Sequence, residues 1–313
     1  MPIVEHDPWR LQYFQDVSCP EEVFVPTEDA DSYRLYPEHR WIFNKLLVAE
    51  TQGLACAPHG IVPETFPVFS KPIYNLRGMG METRTFRTRE EYLAGRDPGH
   101  MWVTLLEGPH HSSDVAVVQG EPQWWRHAQG QPLGDGMFDY WTVGAEAKPQ
   151  IEAHCGAWIR KHFSSYTGMM NLETIGGRII EGHLRFSDQW PDLYGRGWAQ
   201  ALVELYARQR WDFADKDRRT GYSVVLFGTH GAHYHHPDPQ IVQQVREAPG
   251  ISSVQITFFE DKPPQQHAMP PGGFRISVIN CWDLEAGFAV REKLALAFWA
   301  TRQLLPRPRR DKR

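Results

Sequence analysis

Long hydrophobic runs are missing from this sequence. No apolar segment approaches the roughly 18 residues of a membrane-spanning helix, and the N-terminus, MPIVEHDPWR, lacks the basic-then-apolar pattern of a secretory signal. Cysteine is scarce as well, with 4 in 313 residues and no Cys-x-x-Cys spacing. Widely spaced cysteines of this kind argue against a disulfide-rich domain or a zinc site. Together these absences predict a cytoplasmic protein with free thiols and no membrane partner.

The sequence also lacks an excess of positive charge. Its formal net charge is -5, with 41% hydrophobic and 23% charged residues, which is ordinary for a soluble globular protein. This balance argues against a nucleic-acid partner, because such proteins usually carry a strongly basic surface. The length suffices for one large or two to three small domains.

The most informative stretch is GMMNLETIGGRIIEGHLRFSD, residues 168–188. It is typical of two short strands joined at Gly176-Gly177, with one carboxylate inside each apolar strand, Glu173 and Glu181. Because side chains alternate along a strand, four residues of the second strand are predicted to share one face. They are Ile179, Glu181, His183 and Arg185.

The position of Glu173 depends on the turn. A two-residue turn would pair Glu173 with Ile180 and place the two glutamates on opposite faces, whereas a three-residue turn ending at Arg178 would pair Glu173 with Glu181. In the second arrangement, the oxygen ligands suit Mg²⁺ bridging phosphates. The alternative is a sheet edge whose charges face water. The pattern by itself leaves both arrangements open.

The rest of the chain predicts an α+β fold in three parts: residues 1–38, 39–215 and 216–313. The first is a short segment rich in acids and proline, and the last is a small unit with an antiparallel tendency. Amphipathic patterns predict helices at Trp41–Thr51, Gln150–Phe163, Gly197–Trp211, Pro239–Glu247 and Leu284–Leu304.

The segment NLETIGGRIIEGHLRFS resembles the metal-binding hairpin of the ATP-grasp superfamily. In that hairpin, an acid on one strand is followed by a strand reading hydrophobic-Glu-x-Asn-x-Arg. Glu173, Glu181 and Arg185 match the two acids and the arginine, while His183 stands where the family usually has asparagine. The resemblance implies an Mg²⁺ site formed by Glu173, Glu181 and His183, with Mn²⁺ as the alternative ion if the imidazole is a ligand.

The resemblance extends over about residues 40–300 and implies an ATP site between two α+β subdomains. Two lysines would hold phosphates, a glycine loop would cover them, a hinge strand would contact the purine, and a histidine would contact the ribose. The corresponding residues are Lys45, Lys71, Gly78, Gly80, Thr104, Leu106 and His111. The C-terminal part, with Arg275, is similar to the carboxylase-like branch. The family's usual N-terminal domain is expected to be reduced to residues 1–38.

The resemblance implies an ATP-dependent ligase that activates a small-molecule carboxylate as an acyl phosphate for attack by an amine or similar nucleophile. ADP and phosphate would be released. Arg185 would steady the transferring group, and Arg275 would bind a carboxylate. Two alternatives stay open: a nucleotide-binding relative with little catalysis, and a carboxylase-type enzyme that uses bicarbonate. The oligomeric state is also open, with a homodimer as one arrangement.

Overall fold

A computed structural model of the chain describes residues 3–74, 76, 80–267 and 269–304. The strands are β1 (Ile3–Val4), β2 (Val25–Pro26), β3 (Cys56–Pro58), β4 (Val68–Pro72), β5 (Arg84–Phe86), β6 (His100–Thr104), β7 (His110–Val118), β8 (Glu121–Gly134), β9 (Met137–Val143), β10 (Gly168–Ile175), β11 (Arg178–His183), β12 (Gly221–Gly228), β13 (Ala232–His233), β14 (Ile251–Ile256), β15 (Phe274–Cys281) and β16 (Gln303–Leu304). The helices are α1 (Asp29–Leu35), α2 (Lys45–Glu50), α3 (Arg89–Ala94), α4 (Pro149–His162), α5 (Trp198–Arg208), α6 (Pro239–Arg246) and α7 (Leu284–Thr301). Short 3-10 helices lie at Leu11–Tyr13, Pro37–Phe43, Pro191–Tyr194 and Pro264–Gln266.

Two antiparallel sheets organise these elements. The larger has 8 strands in the order β11-β10-β7-β8-β9-β12-β15-β14, and the smaller has 4 in the order β3-β6-β4-β5. The chain passes from the small sheet to the large one between β6 and β7. Apolar residues of α4 pack against β7, β10 and β11 on one face of the large sheet. The predicted α+β class is confirmed.

The C-terminal strands belong to the large sheet. Tyr222 of β12 pairs with Thr142 of β9, and β15 and β14 follow β12 in the same sheet. Helix α7 packs with these strands in a second core cluster. The large sheet therefore runs without interruption across residue 215, where the sequence predicts a change of domain.

The N-terminal segment packs directly on the main body. Strands β1 and β2 form a parallel pair. Phe14 and Val25 are buried in the same cluster as Trp198 and Leu202 of α5. This packing brings Asp29 of the segment to His183 of β11, the edge strand of the large sheet.

Helix α2 begins later than predicted. The side chain of Asn44 accepts hydrogen bonds from the amides of Leu46 (3.0 Å) and Leu47 (3.1 Å), which makes it the N-cap. The preceding residues form the 3-10 helix Pro37–Phe43, so the predicted helical start at Trp41 is wrong. The cap places Lys45 at the first helical position. Among the described residues, no helix is both long and apolar enough to cross a bilayer.

Candidate active site

A cavity of about 760 Å³ lies between the two sheets. Its walls come from both sheets, from the N-terminal segment and from the loops after β11 and β14. A concave site with convergent polar groups is the usual form of a small-molecule site.

The β10–β11 hairpin has a two-residue turn and a bulge, and together these set the pairing of Glu173. Its turn has two residues, Gly176 and Gly177, with φ of 56° and 79°, and Ile175 pairs with Arg178. The register then shifts, so that Glu173 pairs with Glu181 and Ile180 is the extra residue of a bulge.

The hairpin therefore combines the turn of one predicted arrangement with the pairing of the other. Both glutamates line the cavity. The bulge also reverses the side chain before it: Ile179 is buried against the α4 side of the sheet, so the prediction that it shares a face with Glu181 is wrong.

The two predicted phosphate lysines lie beside this hairpin. Lys45 Nζ is 2.8 Å from Glu181 Oε1, and Lys71 Nζ donates to the bulged carbonyl of Ile180 at 2.6 Å. Burial and the neighbouring charge of Lys45 lower the pKa of Lys71 to about 8, although Glu181 and Glu173 act in the opposite direction. Both lysines are buried and line the cavity, where their charges lie within reach of an anionic ligand.

Glu173 is held as an anion. Burial by itself would raise the pKa of Glu173, but the hydrogen bond and charge of His110 outweigh it and lower the pKa to about 2. His110 Nε2 donates to Glu173 Oε2 at 3.0 Å. The ring of His110 thus fixes one of the two facing carboxylates.

His183 and Arg185 share a buried partner that sequence reasoning missed. Asp29 Oδ2 accepts from His183 Nδ1 at 2.8 Å, and Asp29 Oδ1 lies 2.9 Å from Arg185 Nε. Burial opposes ionisation, but the two cations outweigh it and lower the pKa of Asp29 to about 2. Asp29 in turn outweighs burial at His183 and raises the pKa of that imidazole.

This arrangement bears on His183 as a metal ligand. Its Nε2 faces Glu181 Oε1 at 3.9 Å, so the ring lies at the predicted place. A metal ligand must offer an unprotonated nitrogen, however, and Asp29 favours the protonated ring. The geometry therefore favours His183 as a cation beside Glu181 over His183 as a ligand.

Asn171 and Asp114 support the same face. Asn171 pairs with His183 across the hairpin and lines the cavity. Its Nδ2 donates to Asp114 Oδ1 at 2.6 Å, and Asp114 also accepts from the amide of Ser187 at 2.9 Å. Burial raises the pKa of Asp114 to about 6 despite these donors. The network ties β10, β7 and the chain after β11 together beneath the site.

The end of the cavity beside Arg185 is built around Arg10. Its guanidinium reaches four carboxylates: Asp7, Glu28 and Asp188 at 2.6 Å each, and Glu5 at 3.5 Å. Burial raises the pKa of Glu5 to about 7, although Arg10 acts in the opposite direction, so one guanidinium does not balance all four carboxylates.

Arg275 also lines this end, as does Asp188 of the DQWPDLY segment. Arg275 donates to Gln189 Oε1 at 3.4 Å and forms no ion pair with a described carboxylate. Burial lowers its pKa. Of the cations at this end, Arg275 is thus the one best placed to take a carboxylate.

The predicted hinge residues, Thr104 and Leu106, line the cavity where the chain leaves the small sheet. The Thr104 amide donates to the Ala55 carbonyl at 2.9 Å, so this N–H is already hydrogen-bonded within the protein and is not free to bind a purine. The hinge contacts the hairpin turn: a Cβ on Gly176 would lie 2.3 Å from the Glu107 carbonyl oxygen. Only glycine allows this approach at a positive φ.

The histidine predicted to contact the ribose, His111, does not line the cavity. His111 pairs with Thr174, next to the pair of Ser112 with Glu173, so alternation turns its side chain away from the glutamates. Of the neighbouring pair His110 and His111, His110 is the one whose side chain lines the cavity, and His111 does not reach the site.

The glycine loop is described in part. Gly80 has φ of 60° and lines the cavity. Gly78 lies outside the described residues.

No protein-family model matches the sequence, and no curated protein matches it significantly. Solved structures do. An L-amino acid ligase from Bacillus licheniformis is 12% identical with a TM-score of 0.61, covering 92% of this chain and 82% of that chain.

Two further structures extend the likeness. N5-carboxyaminoimidazole ribonucleotide synthetase from Thermus thermophilus is 13% identical with a TM-score of 0.57, covering 92% of this chain and 84% of that one. The biotin carboxylase domain of Hydrogenobacter thermophilus 2-oxoglutarate carboxylase is 14% identical with a TM-score of 0.53, covering 85% and 67%. Identity this low shows the fold alone. The chain has the ATP-grasp fold that its hairpin resembles, and the structures with a similar fold include a biotin carboxylase domain.

Proposed function

We propose that this protein is an ATP-dependent ligase that activates a carboxylate as an acyl phosphate for attack by an amine. The observation that carries the proposal is the convergence of two lysines, two facing glutamates and an arginine on one cavity. These residues are Lys45, Lys71, Glu173, Glu181 and Arg185. Phosphoryl transfer depends mainly on positioning and on charge neutralisation of this kind.

The nucleotide would lie between the sheets. The apolar hinge side, with Val103, Leu105 and Leu106, would receive the purine, while Lys45 and Lys71 would hold phosphates. A carboxyaminoimidazole ribonucleotide synthase with a similar fold was crystallised with ATP, and the biotin carboxylase domain was crystallised with MgADP. These complexes support the same ligand for this chain.

Glu173 and Glu181 fit a hard divalent cation, because their carboxylates face one another and Glu173 is strongly acidic. They would hold Mg²⁺, which neutralises phosphate charge when bound. His183 fits less well as a ligand, since Asp29 occupies Nδ1 and favours the protonated ring.

The chemistry has two steps. A carboxylate oxygen attacks the γ-phosphorus, the bond to the leaving ADP oxygen breaks, and an acyl phosphate forms. An amine nitrogen then attacks the acyl carbon, the carbon–oxygen bond to phosphate breaks, and the amine loses a proton. Arg185 would balance charge on the transferring group, and Arg275 would hold a carboxylate.

A nucleotide-binding protein with little catalysis is the second candidate. Glu181 is already paired with Lys45 at 2.8 Å, which would compete with a cation. A bicarbonate-using enzyme is the third, because one solved relative was crystallised with bicarbonate. ATP turnover separates the second candidate from the ligase, and dependence on added bicarbonate identifies the third.

The test is to incubate the protein with Mg²⁺, ATP and a mixed pool of amino and hydroxy acids, and to resolve the nucleotides by chromatography. ADP and phosphate are expected. Glu181→Gln should lower turnover by at least about 100-fold, because it removes a charge that the transition state requires, while the exposed control Glu64→Gln should not. AMP as product would exclude the acyl phosphate, and tight ATP binding without turnover would favour the binding protein.

A further inference from the structure

A patch of aromatic rings covers part of the cavity wall and has no role in the nucleotide site proposed above. Phe138 and Trp141 of β9 and Trp190 after β11 line the cavity. Their ring centroids are 4.3 Å apart for Phe138 and Trp141, and 5.4 Å apart for Trp141 and Trp190. These three residues are called the aromatic floor below.

A glycine makes room for the floor. Gly130 of β8 pairs with Trp141, and a Cβ on Gly130 would lie 2.5 Å from Phe138 Cδ1 and 3.1 Å from Trp141 Cη2. The two rings therefore lie over the bare backbone of β8. A side chain at this position would push them into the cavity.

The floor adjoins the reacting centre through His110. That ring donates to Glu173 Oε2 at 3.0 Å and contacts Phe138 and Trp141 edge-on, with centroids 5.1 and 5.5 Å away. One imidazole thus separates the glutamate from the aromatic surface.

On its other side, the floor continues towards Arg275. Val225 and Phe227 of β12 line the cavity beside β9, and Arg275 lies on β15, the next strand. With about 4.8 Å between strands, the floor and Arg275 are roughly 10 Å apart across the sheet. Along this wall, the carboxylate of Glu173 is followed by the aromatic floor and then by the guanidinium of Arg275.

We propose that the aromatic floor binds the body of the substrate, and that the activated substrates are carboxylic acids carrying an aromatic or bulky apolar ring. This inference rests on the proposed ligase function. The hinge wall of Val103, Leu105 and Leu106 is reserved for the purine, so the floor is free for the acid. Aromatic rings prefer stacked or edge-on partners, which favours planar groups over flexible chains.

The test uses hydroxylamine as the nucleophile, because it traps acyl phosphates as hydroxamates whatever the natural nucleophile is. The purified full chain is given Mg²⁺, ATP and one of four acids: phenylacetate, cyclohexylacetate, hexanoate or succinate. Phenylacetate should have the highest kcat/KM, at least about tenfold above succinate.

Variants then locate the selectivity. Phe138→Ala should raise the KM for phenylacetate about tenfold with little change in ATP affinity. Phe138→Leu keeps most of the volume and should affect phenylacetate more than hexanoate. Gly130→Ala should act like Phe138→Ala, because it displaces the ring. Phe24→Ala removes a ring that is 37% exposed and lies outside the cavity. This control should change neither the KM for phenylacetate nor the KM for hexanoate.

Three results would overturn the inference while leaving ligase activity in place. These are a preference for succinate, an unchanged phenylacetate KM in Phe138→Ala, and a loss of ATP affinity in that variant instead. The last result would assign the floor to the nucleotide. Far-ultraviolet circular dichroism checks that each variant is folded.

If no acid is turned over, the proposed function fails and binding decides the inference. Phenylacetate is titrated calorimetrically into protein loaded with a non-hydrolysable ATP analogue. A binding heat for phenylacetate that disappears in Phe138→Ala supports the aromatic floor as the binding site of the carboxylic acid. Absence of binding overturns it.

Discussion

Asp29 illustrates how single residues build this site. Its carboxylate belongs to the first turn of α1, yet it holds His183 at 2.8 Å and Arg185 at 2.9 Å. A buried carboxylate with two cationic partners is stable, but removing it leaves both cations buried without a compensating charge. Asp29 therefore orients two side chains that line the cavity.

Replacing Asp29 should expose this dependence. Asp29→Asn is expected to lower the free energy of unfolding by about 3 kcal/mol at pH 7. The pKa of Asp29 is about 2 in the folded protein, below its unfolded value, so its contribution is present above about pH 4 and is lost as pH falls towards 2. Urea denaturation at pH 7 and at pH 2 measures both effects, with the exposed Asp261→Asn as control. Equal stability of the two variants at pH 7 would contradict the role.

Lys71 supports a pH prediction for binding. Burial and Lys45 lower its pKa to about 8, so its charge is present at pH 7 and is lost as pH rises through 8. ATP affinity should fall between pH 7 and pH 9, and Lys71→Arg should remove that dependence because arginine stays charged. Lys71→Ala should weaken ATP binding about tenfold or more at pH 7. Calorimetry measures both, and Lys161→Ala, at an exposed position, is the matched control.

Unchanged affinity in Lys71→Ala would exclude the lysine as a phosphate ligand. A pH dependence that persists in Lys71→Arg would assign the titration to another group.

Among the elements, the β10–β11 hairpin decides the arrangement of the site. Its two-residue turn alone would separate Glu173 and Glu181, and the bulge at Ile180 brings them opposite each other. The same bulge presents the Ile180 carbonyl to Lys71. The turn also abuts the hinge at Glu107. One irregularity in a ladder thus positions two acids and a lysine.

The two turn glycines provide a matched comparison. Both have positive φ, but a Cβ on Gly176 would lie 2.3 Å from the Glu107 carbonyl, whereas a Cβ on Gly177 would meet nothing within 4 Å. Gly177→Ala should cost about 1 kcal/mol through backbone strain alone. Gly176→Ala should cost clearly more and should weaken ATP binding, since the hinge must move. Thermal melts and ATP titration of both variants test this, and equal effects would show that the contact is unimportant.

For the whole molecule, the continuous large sheet is the dominant feature. Strands from the middle and the C-terminal part of the sequence hydrogen-bond to each other, and the N-terminal segment shares their core. Elements joined in one sheet and one core are expected to unfold together. The cavity lies where these parts meet.

This continuity predicts a single unfolding transition. Tryptophan fluorescence and far-ultraviolet circular dichroism should give the same midpoint in urea. ATP at 100 times its Kd should stabilise the folded state by about 2.7 kcal/mol and shift both curves together. Two separate transitions would show that residues 216–313 form an independent unit.

Local patterns in the sequence were enough to determine several features. The hairpin motif and the amphipathic helices depend on residues close together in the chain, so the α+β class and the resemblance to the ATP-grasp hairpin could be recognised, whereas the pairing of the two acids was left open. The first residue of each helix was harder to predict, because a single capping residue decides it. In α2 this residue is Asn44.

Only the tertiary structure decided the register and the partners. The bulge at Ile180 and the choice of His110 over His111 depend on how strands pair, and shifting a strand by one residue reverses every side chain. Asp29 and His183 are 154 positions apart, and no local pattern links them. Charges buried together this far apart in sequence are matched only when the whole chain has folded, because the free energy of each ion pair depends on its burial.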